Sequence, residues 1–150
     1  MDAPAVEETI VVPATVEQLD AIHTALDRFW SDVAPALTAP GSGEWWSRFV
    51  TAVAEIASNI VRHAYPLGRK PGLLRLRLCA YPGRVEAYFD DHGVAFTPAA
   101  PALDAKAADS LALLESGRGL AIARAYLDEL DYRRTAEGTN EWHLVKRFAG

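Results

Sequence analysis

Leu74-Arg75-Leu76-Arg77-Leu78-Cys79-Ala80-Tyr81-Pro82-Gly83-Arg84-Val85-Glu86-Ala87-Tyr88-Phe89-Asp90 is the stretch that decides the fold class. Leucine alternates with arginine over Leu74–Leu78, the period-two pattern of a half-buried strand. Tyr81-Pro82-Gly83-Arg84 is a turn signal, and Val85–Asp90 alternates again. Two strands joined by so tight a turn pair antiparallel. A second hairpin is expected near the end of the chain, where Tyr132–Thr135 and Trp142–Phe148 flank Glu137-Gly138-Thr139-Asn140. Thr9-Ile10-Val11-Val12, stopped by Pro13, reads as a first strand after a tail over residues 1–8.

Helices are expected between these strands. Over Val16–Leu37, Leu19, Ile22, Leu26, Phe29 and Val33 form an apolar stripe, and Thr15 with Gln18 three residues on suggests a capping box. Ala39-Pro40-Gly41-Ser42-Gly43 reads as a linker. Trp46, Phe49, Val53, Ile56 and Ile60 stripe a second helix from about Glu44 to Ala64, ended by Pro66. Residues 91–116, rich in Ala, Pro and Asp, read as a functional loop, and a third helix is expected over Gly119–Leu130. The order β-α-α-β-β-loop-α-β-β predicts an α+β fold. Its form is a two-layer sandwich, with a mixed, mostly antiparallel sheet covered on one face by about three helices. Residues 9–150 are expected to form a single domain.

Composition narrows the function. The chain has 150 residues, 50% hydrophobic and 23% charged, values of an ordinary globular domain. A net charge of −5 and a pI near 5.3 disfavour direct nucleic-acid binding and anionic membrane surfaces. No apolar run approaches the roughly 20 residues of a membrane span, and Met1-Asp2-Ala3-Pro4 lacks the basic start of a secretory signal. Cys79 is the single cysteine, which excludes an internal disulfide and any CxxC metal site. The expected location is the cytoplasm. Cys79 and the tryptophans Trp30, Trp45, Trp46 and Trp142 are expected mainly to pack the core.

Three motifs carry candidate chemistry. Glu55, Asn59 and His63 recur every four residues, close to one line on the second helix, yet edge its apolar stripe, where polar groups need partners. Asp90-Asp91-His92-Gly93 ends an alternating strand, and a carboxylate there can accept a hydrogen bond from a nucleobase amino group. Gly117-Arg118-Gly119-Leu120 sits where the third helix is expected to open, so free N–H groups and the helix dipole would face an anion. No Walker A pattern is present.

Taken in this order, the motifs resemble the GHKL (Bergerat-fold) ATPases, and among them the anti-sigma-factor serine kinases of bacterial partner switching. The matching stretches are 53–65 (Val53 to Tyr65, with His63-Ala64-Tyr65), 89–98 and 117–123, together with a closing segment around Leu144-Val145-Lys146-Arg147. The resemblance implies ATP and Mg²⁺ as ligands. It implies that Asn59 holds the metal and Glu55 activates the attacking hydroxyl. Asp91 would recognise the adenine amino group with Gly93 beneath the base, Ala95 would stand where many relatives carry a second glycine, and Gly117, Arg118, Gly119 and Leu120 would cradle phosphate. Residues 97–116 would form an ATP lid, and His63 has a supporting role at most.

The implied function is an ATP-dependent serine/threonine protein kinase that phosphorylates an anti-anti-sigma (STAS-type) antagonist, with a sigma factor as a further partner. A homodimer through the first strand and helix, including Thr9–Val12, also follows from some relatives. The chain departs from the family at Ala95 and in Asp20-Ala21-Ile22-His23, which lacks an arginine that some of these kinases carry on the first helix. Both departures leave room for a nucleotide-gated binding module with little turnover.

Overall fold

The computed structural model describes residues 3–37, 41–65, 70–96 and 110–148, with side chains in the last stretch from 118 onward. Five strands form one sheet in the order β1-β2-β3-β5-β4: β1 (Val6–Pro13), β2 (Leu73–Tyr81), β3 (Arg84–Asp91), β4 (Glu129–Arg134) and β5 (Asn140–Arg147). All four pairings are antiparallel, where a partly mixed sheet was expected. The α+β sandwich itself is borne out.

Period-two alternation sorts side chains between two faces. Leu74, Leu76 and Leu78 of β2, Ala87 and Phe89 of β3, and Trp142 and Leu144 of β5 are buried toward the helices. The intervening Arg75, Arg77, Tyr88 and His143 line the opposite face. There Arg77 lies over the Tyr88 ring, which stacks on His143 at 4.4 Å. Glu86 is buried on that face between its cross-strand partners Cys79 and Val145, at 6% exposed. It accepts hydrogen bonds from Arg84 Nε and Tyr88 Oη and contacts His143 Nε2.

The helical layer holds α1 (Leu19–Val33), α2 (Ser42–His63) and α3 (Ser110–Tyr126). Ile22, Leu26, Phe29 and Val33 of α1 meet Phe49, Val53, Ile56 and Ile60 of α2 in one core cluster with the sheet leucines. Trp46 stacks on Trp30 at 4.7 Å, while Trp45 donates from Nε1 to the Arg147 carbonyl. Cys79 is buried.

The structure corrects four local expectations. The Thr15 side chain caps nothing; a 3-10 turn over Val16–Gln18 forms through the Gln18 N–H to Thr15 carbonyl bond. Helix α1 ends at Val33 in a second 3-10 turn that holds Pro35, short of Leu37. Helix α2 starts at Ser42, capped by Gly41 at φ 88°, so Ser42 and Gly43 belong to the helix rather than a linker. The fourth bears on function: α3 starts at Ser110, not Gly119, and ends at Tyr126. Leu111-Ala112-Leu113-Leu114-Glu115 are strong helix formers, and they carry the helix across two glycines that each cost about 1 kcal/mol. The strand ends also shift, with β1 starting at Val6, three residues before Thr9.

Candidate functional site

Helix α2 lays its polar line along the rim of the core. Asn59 is 3% exposed, Glu55 and His63 are half-buried. Asn59 Oδ1 is buried with no hydrogen-bond partner among the described residues. Such an orphaned oxygen costs about 1–3 kcal/mol, so its retention points to a partner beyond the described residues. The His63 imidazole is pushed below its ordinary value by burial and by the neighbouring Arg62.

Across from Asn59, β3 ends on Asp91, which is 1% exposed. Its Oδ1 accepts from Gly93 N at 2.8 Å and from Asn140 Nδ2 at 2.9 Å, while Oδ2 takes no hydrogen bond among the described residues. Asn59 and Asp91 wall one narrow cleft, with a free volume of about 10 Å³ and with Ile60, Val94, Phe96 and Trp142 as its apolar sides. Apolar walls beside one directed acceptor suit a planar heterocycle bearing an amino group, whose entry would have to widen the cleft.

Gly93 serves a close approach. A Cβ there would collide with the Ala64 carbonyl, to which Val94 N donates at 2.7 Å. This glycine therefore docks the loop onto the end of α2, and its tight neighbour is the helix terminus. Ala95 is exposed and does not wall the cleft.

Three residues that the sequence reading passed over hold this loop. Asn140, 2% exposed, donates to Asp91 Oδ1, the Gly93 carbonyl and the Val94 carbonyl. Its Oδ1 accepts from Tyr132 Oη at 2.5 Å and from Arg134 Nη1 at 2.9 Å. Tyr132 Oη also accepts from Phe96 N, and Arg134 Nη1 also donates to the Gly93 carbonyl. The one signal in the sequence is that Asn140 shares the inward face of β5 with Trp142 and Leu144.

The expected phosphate cradle takes a different form. Gly117–Leu120 lie inside α3, so in this structure their N–H groups do not open a helix, and none of the four walls the cleft. Arg118 is exposed and Leu120 half-buried. Gly119 is buried against Glu55, since a Cβ on it would meet Glu55 Oε2. Glu55 itself lines a different groove, between α1 and α2, with Ile22, His23 and Ser58. The structure thus brings Asn59 to Asp91 and Gly119 to Glu55, while Glu55 and Asn59 face separate cavities. Most of the expected lid, 97–109, lies outside the described residues; 110–116 form the first turns of α3.

A family model described as "Histidine kinase-like ATPase domain" matches residues 12–142. The chain belongs to that family. Its architecture is similar to a crystal structure of the RsbU and RsbW domains of Rv1364c from Mycobacterium tuberculosis, with a TM-score of 0.63 and 22% identity. That likeness covers 97% of this chain and 32% of the other, and at such identity it speaks to the fold alone. No curated protein matches the chain. No described helix of this ATPase domain is long and apolar enough to cross a membrane.

The Mg²⁺-nucleotide that the family implies fits the residues present. Asn59 offers a buried carbonyl oxygen with no partner among the described residues, a hard ligand of the kind Mg²⁺ takes alongside phosphate oxygens and water.

Proposed function

We propose that this domain binds ATP with Mg²⁺ and acts as a cytoplasmic anti-sigma-factor-type serine/threonine protein kinase. It would transfer the γ-phosphate to a Ser or Thr of a STAS-type antagonist, with a sigma factor as a second partner. The observation that carries the nucleotide half is the orphaned Asn59 Oδ1 in the cleft it shares with Asp91. In this reading Asp91 Oδ2 accepts from the adenine amino group, and Ile60, Val94, Phe96 and Trp142 exclude water around the base. Asn59 holds the metal, which when bound neutralises phosphate charge. Glu55 orients the acceptor hydroxyl and receives its proton, the role phosphoryl transfer assigns to a carboxylate. Gly119, packed on Glu55, sets where that carboxylate stands. Arg118 and the neighbouring glycines and Leu120 meet the phosphates after a rearrangement of the start of α3.

The test pairs a melting experiment with a transfer experiment. Saturating ATP and Mg²⁺ should raise the melting temperature of the parent, since ligand at about 100 times its Kd adds about 2.7 kcal/mol. Asn59→Ala should remove the Mg²⁺-dependent part of that rise. Label from γ-labelled ATP should then appear on a STAS-type antagonist and vanish with Glu55→Gln. No melting shift with any adenine nucleotide overturns the reading at its root.

Two observations favour a second reading, a nucleotide-gated binding module with little turnover. Glu55 faces the α1–α2 groove rather than the Asn59–Asp91 cleft, and the first helix carries no arginine in Asp20–His23. Stoichiometric phosphate transfer to an antagonist would eliminate it.

A further inference from the structure

A second cavity of about 310 Å³ stands back to back with the cleft. Ala64, Gly93's neighbour Val94 and the Asp91 loop separate the two, since Ala64 and Val94 wall both. The recess is otherwise lined by Tyr65, Lys70, His92 and Arg134. Its charged wall is therefore basic, with no carboxylate on it among the described residues, in a chain of net charge −5. The adjacent acids flank the recess without lining it. Asp91 Oδ1 is bonded to Gly93 and Asn140, and Asp90 stands 4.0 Å from Arg75 on the open face of the sheet.

From this arrangement we infer that the recess is a docking site for a carboxylate-rich segment of a protein partner, and that Arg134 links its occupancy to the nucleotide cleft. Charge complementarity selects the occupant. Lys70, His92 and Arg134 come from three separate parts of the chain, ahead of β2, after β3 and at the end of β4. They surround a volume much larger than one phosphate or carboxylate, which suits several acidic side chains on one strand of peptide.

The linkage follows from one guanidinium. Arg134 Nη1 donates to the Gly93 carbonyl and Asn140 Oδ1, on the same two residues whose N–H groups fix Asp91. Its other N–H donors take no hydrogen bond among the described residues, and a guanidinium has five in a rigid fork. A carboxylate drawn to that fork acts on the group that holds the Asp91 loop. Coupling of this kind is reciprocal: the factor by which peptide changes ATP affinity equals the factor by which ATP changes peptide affinity. The linkage rests on reading the cleft as a nucleotide site; the docking does not.

The probe is a fluorescein-labelled hexaglutamate peptide, followed by anisotropy on the full chain. Expected is binding that weakens about fivefold or more from low to roughly 0.3 M salt. Lys70→Glu with His92→Glu should weaken it a further tenfold or so while the melting temperature stays at the parental value. ATP should shift the peptide Kd by the factor that peptide shifts the ATP Kd. Equal binding by the double variant overturns the site. Displacement by inorganic phosphate at the peptide's own Kd overturns the protein-segment assignment in favour of a free anion. Unchanged ATP affinity with peptide bound overturns the linkage. Peptide docking in a chain that binds no ATP leaves the site standing and defeats the nucleotide reading instead.

Discussion

Replacing Asn140 by alanine should cost the domain about 3 kcal/mol and slacken the Asn59–Asp91 cleft. The side chain donates to three acceptors: Asp91 Oδ1 at 2.9 Å, the Gly93 carbonyl at 3.2 Å and the Val94 carbonyl at 2.9 Å. Alanine leaves each of them short of a donor in a buried or half-buried place, at about 1 kcal/mol apiece. Gly93 N and Arg134 still serve the first two, which keeps the cost near the lower end of the range for orphaned groups. At roughly 2–4 °C per kcal/mol for a chain of this length, the melting temperature should fall by about 6–12 °C. Asp91 loses one of the two bonds that orient it, so ATP affinity measured with a fluorescent analogue should weaken more than stability alone explains. Asn140→Asp should be worse at neutral pH, because it sets a second buried carboxylate against Asp91. Its deficit should shrink as the solution is acidified. Circular dichroism melts of parent and both variants decide the matter. A melt for Asn140→Ala within about 2 °C of the parent would refute the clamp.

Other outcomes follow from the same geometry. Gly93→Ala must move either the loop or the Ala64 carbonyl, so a stability loss of about 1–3 kcal/mol is expected, read by urea denaturation. Gly119→Ala splits two readouts. Its Cβ meets only the flexible end of Glu55 and alanine favours the helix by about 1 kcal/mol, so stability should hold or rise while phosphate transfer falls. For Glu86, burial raises the carboxyl, but bonds from Arg84, His143 and Tyr88 hold it below the ordinary 4.5. A depressed carboxyl stabilises the fold above its unfolded value, and that contribution is lost as pH falls through the lower folded value. Glu86→Gln should accordingly flatten the acid limb of a melting-temperature-against-pH curve below about pH 4.5.

The hairpin β2–β3 was legible because its signal is local. Leucine–arginine alternation assigns the faces and Pro82-Gly83 makes the turn, so no distant contact is needed. Helix α2 was legible for the same reason, and with it Asn59. Helix α3 was not. Glycines at 117 and 119 read as punctuation, yet the helix formers ahead of them and the contact of Gly119 with Glu55 extend the helix through both. The capping-box pattern at Thr15 and Gln18 failed in the opposite sense: a tight backbone turn took the bond that the side chain would have made. The Asp91 clamp was hidden by distance. Asn140 lies 49 residues from Asp91, and only the pairing of β3 with β5, across an intervening helix, sets them opposite each other. Glu55 shows a related limit, since spacing along one helix aligned it with Asn59 while packing gave the two residues different cavities.

Trp142 opens an experimental route. It walls the cleft beside Asn59 and Asp91, whereas Trp30, Trp46 and Trp45 are stacked or edge-packed near the start of α2. The chain therefore carries an intrinsic fluorophore at the cleft and three spectators away from it. With the three spectators changed to phenylalanine, emission from Trp142 alone would report a stacked base through quenching, in real time and without a label. The same signal, followed by stopped flow, separates the arrival of a base from any slower rearrangement of α3 that comes after it.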